Sequence, residues 1–121
     1  MFATVERSIP IAVVAPIGRL DALNAPGLRA RCDAIMTEGT TRIVIDLGAV
    51  IFLDSAGLAA MVGALKRARA SGGDVKLAMP HDPAVLRILE LTRFDRVFDI
   101  REDAEVAVAS FASKHGRRAG R

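Results

Sequence analysis

Apolar positions along the chain change their spacing several times, and each change marks an element. Phe2–Arg7 and Ile9–Ala15 read as two strands folded into a hairpin, with Pro10 and Pro16 limiting how the second can pair. Ile17-Gly18-Arg19-Leu20-Asp21 then reads as a turn. Leu28, Cys32 and Ile35 fall at helical spacing, with Asn24 placed to cap the helix, Pro26 tolerated in its opening turn and Gly39 as its stop. Between Arg42 and Leu47 the branched residues Ile43, Val44 and Ile45 are consecutive, the mark of a strand covered on both faces, as in a parallel sheet.

After Gly48 an apolar stretch, Ala49–Leu53, leads through Asp54-Ser55-Ala56-Gly57-Leu58 into a second helix. That helix turns Leu58, Met61, Val62 and Leu65 inward, leaves Lys66, Arg67 and Arg69 in solvent, and ends at Ser71-Gly72-Gly73. Val75–Met79 is the next strand. Asp82-Pro83 opens a third helix, with a capping acid before proline at the first helical position and an apolar face of Val85, Leu86 and Leu89. Val97–Ile100 reads as a short last strand and Asp103–Phe111 as a closing helix. Strands alternating with helices predict an α/β fold with a mostly parallel sheet covered by helices.

Composition narrows the class. At 121 residues, about half of them hydrophobic, the chain is long enough for one domain that buries roughly two-thirds of its unfolded surface. The single cysteine, Cys32, excludes an internal disulfide and a C-x-x-C site, and its place on an apolar helix face predicts a buried structural thiol. Neither a secretory signal at Met1–Arg7 nor an apolar run of membrane-spanning length is expected, which points to a cytoplasmic protein. The net charge of +3 resides at the C-terminus: apart from Lys114, Arg117, Arg118 and Arg121, the remaining 13 basic residues face 14 acids. Residues 1–113 are read as the domain and 114–121 as a basic tail too polar to pack, expected to be disordered. With no Trp or Tyr and only five Phe, no stacking platform for bases is expected, hence no direct nucleic-acid partner.

The chemistry of enzymes is hard to find. The only imidazoles are His81, between Pro80 and Asp82 in an expected exposed loop, and His115 in the tail. Phosphate-cradling glycine motifs, H-E-x-x-H and G-x-S-x-G do not occur. Asp21, Asp46 and Asp54 could be imagined around Mg²⁺, but nothing beside them suggests a phosphate ligand. No catalysis, metal or cofactor is expected.

The informative segment is Asp54-Ser55-Ala56-Gly57-Leu58, at a junction from extended chain to helix, where the carboxyl edge of an open α/β sheet meets its ligands and partners. Ser55 is placed to act as N-cap, and Gly57 lets another surface approach the backbone. From the pentapeptide alone two readings stay open: a site of interaction, or a simple cap with a tight-packing glycine. Asp21 is open in the same way, since it could merely end a turn.

Over roughly residues 5–111 the chain resembles the STAS domains of bacterial anti-sigma-factor antagonists. Gly18-Arg19-Leu20-Asp21, Ile45-Asp46-Leu47, Phe52-Leu53-Asp54-Ser55-Ala56-Gly57-Leu58 and Gly72-Gly73 before Val75-Lys76-Leu77 carry the resemblance in order. Pro83-Ala84-Val85 with Leu89, Phe94 and Val97-Phe98 complete it. It implies the STAS fold, a mixed, mostly parallel sheet of four to five strands flanked by about four helices. It also implies that Ser55 is phosphorylated by an anti-sigma factor that is itself an ATP-dependent serine kinase. Asp21 and Asp54, near that serine, would contribute to recognition, and Asp21, Asp54, Ser55, Ala56 and Gly57 would form the partner-binding surface. Unphosphorylated antagonist would hold the anti-sigma factor and free the sigma factor, until phosphorylation releases it and a phosphatase resets it. Some antagonists carry a second serine where this chain has Ala56, leaving Ser55 the one phosphorylatable residue of the motif. A weak homodimer is a further expectation. The alternative is a STAS subunit docked constitutively on the ATPase of a lipid or anion transporter, with Ser55 only a cap.

Overall fold

The computed structural model describes residues 9–112, so the expected strand Phe2–Arg7, the basic segment 114–121 and His115 lie outside the described residues. The elements in order are β1 (Ala12–Val14), β2 (Gly18–Leu20), α1 (Ala25–Thr37), β3 (Arg42–Asp46), β4 (Val50–Leu53) and α2 (Ser55–Ala70). They continue with β5 (Asp74–Ala78), α3 (Pro83–Leu91), a single 3-10 turn at Phe94–Arg96, β6 (Asp99–Arg101) and α4 (Ala104–Ala112).

Four strands form one parallel sheet in the order β1-β3-β5-β6, and β2 and β4 form a separate parallel pair. The continuous apolar run in β3 is explained by its central place: Ile43, Val44 and Ile45 are all fully buried. On one face Ile43 and Ile45 meet α1 and α2 through Leu28, Cys32, Met61 and Leu65. On the other, Val44 and Ala78 pack under Ala107 of α4. There Lys76, only 6% exposed, donates to Ser110 Oγ at 2.7 Å and pairs with Asp99 at 3.3 Å. Its ammonium also lies 4.4 Å from the Phe111 ring centre, so the buried charge is satisfied from three sides.

Ala12–Val14 runs parallel to β3, with Ala12 opposite Ile43; its expected hairpin partner, Phe2–Arg7, lies outside the described residues. Three other expectations need correcting. Gly18–Leu20 is not a turn but a strand, held beside β4 with Gly18 opposite Val50. Asn24 sits at the N-cap position of α1 without capping it, because its side-chain amide donates to the Arg19 carbonyl at 2.9 Å. The expected strand at Val97–Ile100 begins two residues later, after the 3-10 turn has taken Phe94 into the core. The start of α3 is as expected: Asp82 accepts from the N–H groups of Ala84 and Val85, with Pro83 following.

Candidate functional site

β2 and β4 carry the two halves of the motif to one place. Arg19 lies opposite Phe52 and Leu20 opposite Leu53, so the Asp21 loop leaves β2 where Asp54 and Ser55 leave β4. Asp54 closes the gap. Its Oδ1 accepts from Ala56 N at 2.9 Å and Gly57 N at 3.1 Å, while Oδ2 accepts from Ala22 N across the gap at 3.2 Å. One carboxylate thus caps α2 and ties the neighbouring loop to the helix mouth. The expectation that Ser55 caps the helix is corrected here: the cap is Asp54, whose extended backbone aims its side chain at the free N–H groups, and Ser55 is the first helical residue.

That shift by one residue changes what Ser55 is for. Its side chain is exposed, and among the described residues its hydroxyl makes no hydrogen bond within the chain. The oxygen therefore stands free at the positive end of a 16-residue helix. It does not lie at an edge of the four-stranded sheet; it follows the carboxyl end of β4 in the smaller one.

Asp21 is equally occupied with backbone. Its Oδ1 accepts from Leu23 N and Asn24 N, each at 3.1 Å, and its Oδ2 from Arg19 Nε at 3.0 Å. The Arg19 guanidinium holds the Asp21 carboxyl below the usual carboxylate range. Arg19 in turn lies 3.8 Å from the centre of the Phe52 ring, across the strand pair. Asp46, at the end of β3, accepts from Gly48 N at 2.9 Å instead of joining the other two acids. Among the described residues no group of three or more His, Cys, Asp or Glu side chains is placed to hold a metal ion.

Gly57 plays a different part from the one expected. It is buried, and a Cβ added there would meet Leu53 Cδ1 at 2.7 Å. The missing side chain makes room for β2 and β4 of this chain, not for an incoming surface. Ala56 is half-buried and packs on the core. Of the expected contact residues, then, Ser55 is open to solvent, while Asp21, Asp54 and Gly57 hold the local frame. Cys32 lies away from this site, fully buried, and burial pushes its thiol up to about 11. His81 is exposed, as its setting in the sequence suggested.

Two features had no local signal. Leu23, held by Asp21, is 85% exposed beside the motif. A β-bulge in β4 leaves Ile51 unmatched between Gly18 and Arg19, so Ile51 and Phe52 both face outward, Ile51 at 62% exposure. An unbroken apolar segment conceals a bulge, and an exposed leucine in a turn looks like any other turn residue.

Comparison with known proteins agrees with this geometry. A model of the STAS domain matches residues 3–107. The chain is 31% identical over 94 residues to BtrV of Bordetella bronchiseptica, a candidate anti-sigma factor antagonist, spanning 78% of this chain and 80% of that one. It is 30% identical over 91 residues to the anti-sigma-B factor antagonist of Bacillus subtilis, spanning 75% of this chain and 82% of that one. The crystal structure of an anti-sigma factor antagonist from Mycobacterium paratuberculosis matches with a TM-score of 0.76 at 27% identity, over 91% of this chain and 92% of that one. The chain therefore belongs to the STAS domain family, among relatives named as anti-sigma factor antagonists.

Proposed function

We propose that this protein is an anti-sigma factor antagonist without enzymatic activity of its own, acting in the cytoplasm by partner exchange. In its unmodified form it binds an anti-sigma factor serine kinase through the mouth of α2, which frees a sigma factor. The kinase phosphorylates Ser55, the complex separates, and a phosphatase restores the hydroxyl. The observation that carries this reading is the Ser55 hydroxyl itself, exposed and without a hydrogen bond among the described residues because Asp54 performs the capping.

Electrostatics favours a switch at the interface over a change of fold. A phosphate brings roughly −1.5 to −2 charges to Ser55. The helix end attracts that charge by about 0.3–1 kcal/mol. Asp54 repels it: one like-charge pair at ~5 Å costs about 3 kcal/mol at an effective dielectric of 20, less where solvent reaches it. These opposing effects leave the domain folded. A partner that had packed against a neutral hydroxyl must instead desolvate a dianion, and a loss of ~3 kcal/mol there weakens binding on the order of 100-fold.

The test is to incubate the protein with its cognate kinase and ATP and to map the phosphate by mass spectrometry. Phosphate on Ser55, abolished by Ser55→Ala, is the expected result. Phosphate on another residue, or none, contradicts the reading.

A further inference from the structure

The two acids of the motif are turned inward onto backbone, and what they hold outward is a leucine. Asp54 Oδ2 fixes Ala22 N, and Asp21 Oδ1 fixes Leu23 N and Asn24 N. The Asp21 carbonyl adds bonds from Asn24 N at 3.0 Å and Ala25 N at 2.7 Å, which run the loop straight into α1. So constrained, the loop has little freedom, yet the side chain it presents, Leu23, is 85% exposed. An exposed apolar side chain on a backbone held in place, in the loop that Asp54 ties to the mouth of the helix, has the character of an anchor: the backbone part of the ordering entropy is spent before a partner arrives.

From this juxtaposition we infer that Leu23 is a specificity-determining contact of the kinase that modifies Ser55, and that Asp54 is a positioning residue acting through it. The inference rests on the kinase reading above and deepens it. The partner it describes carries an apolar pocket for one leucine at a fixed offset from its phosphoryl-transfer centre. The role of Asp54 in recognition is then to hold two chain segments together, with no step in proton transfer.

Initial rates of Ser55 phosphorylation by the cognate kinase test this in wild type, Leu23→Ser, Leu23→Met, Asp54→Asn and the Leu23→Ser/Asp54→Asn double variant. Asn at position 54 can still accept from Ala56 N and Gly57 N, but its NH2 group faces Ala22 N with a donor, so only the tie to the loop breaks. Leu23→Ser is expected to raise KM about tenfold, as for loss of a buried hot-spot side chain, with kcat unchanged, and Leu23→Met to restore it. Asp54→Asn should raise KM several-fold with kcat intact, and should add nothing once Leu23 is gone. A lowered kcat in Asp54→Asn, additive effects in the double variant, or a Leu23→Ser protein indistinguishable from wild type each overturns the inference while leaving Ser55 as the acceptor. Wild-type protein that takes no phosphate at Ser55 overturns the kinase reading, and the inference with it.

Discussion

Gly57 and Leu20 touch backbone to backbone: a Cβ at position 57 would stand 2.5 Å from the Leu20 carbonyl oxygen. This contact sets α2 against β2 and so fixes where the Asp21 loop emerges relative to Ser55. Backbone cannot yield as a flexible side chain can. Gly57→Ala is therefore expected to lower stability by about 2 kcal/mol, as overpacking does, read from the urea midpoint. A midpoint equal to that of wild type would show that the two segments are not in contact.

Capping at α2 separates the roles of adjacent residues. Asp54→Ala removes the acceptor for Ala56 N, Gly57 N and Ala22 N, and should cost about 1–2 kcal/mol. Ser55→Ala removes an exposed hydroxyl that has no hydrogen-bond partner among the described residues, and should stay within ~0.5 kcal/mol of wild type. Equilibrium unfolding of both variants checks the assignment. Costs in the reverse order would return the cap to Ser55.

Beneath α4 the ion pair of Lys76 with Asp99 makes stability depend on acid. Burial pushes the Asp99 carboxyl up, but the hydrogen bond from Arg101 and the charge of Lys76 outweigh it and hold the group below its ordinary 3.8. A carboxylate with a depressed folded value stabilises the protein above the unfolded pKa and loses that contribution as pH falls through the folded one. Asp99→Asn should cost roughly 2 kcal/mol at neutral pH, less than for a fully buried pair because Asp99 is partly exposed. That deficit should shrink as pH drops below 3.8. Thermal unfolding of both proteins across that range checks it, and a deficit independent of pH would contradict it.

Much of this was legible in the order of residues, and the exceptions share a cause. The run Ile43-Val44-Ile45 announces a covered central strand, and Asp82-Pro83 announces a helix start, because each signal is local. Gly18-Arg19-Leu20 looks like a turn, since its strand character comes only from β4, some thirty residues further on. At Asp54-Ser55 both residues are good caps in isolation. What decides between them is Ala22 N, which draws the second Asp54 oxygen across the gap and settles the side chain where it can cap. Gly57 likewise needs the position of Leu20 before its missing side chain can be assigned to internal packing.

Affinity for the cognate anti-sigma factor, measured by calorimetry with unmodified protein and with protein phosphorylated at Ser55, tests the proposed switch most directly. A dissociation constant on the order of 100-fold weaker for the phosphorylated form, with unchanged circular dichroism, is the predicted result. Equal affinities for the two forms would contradict it.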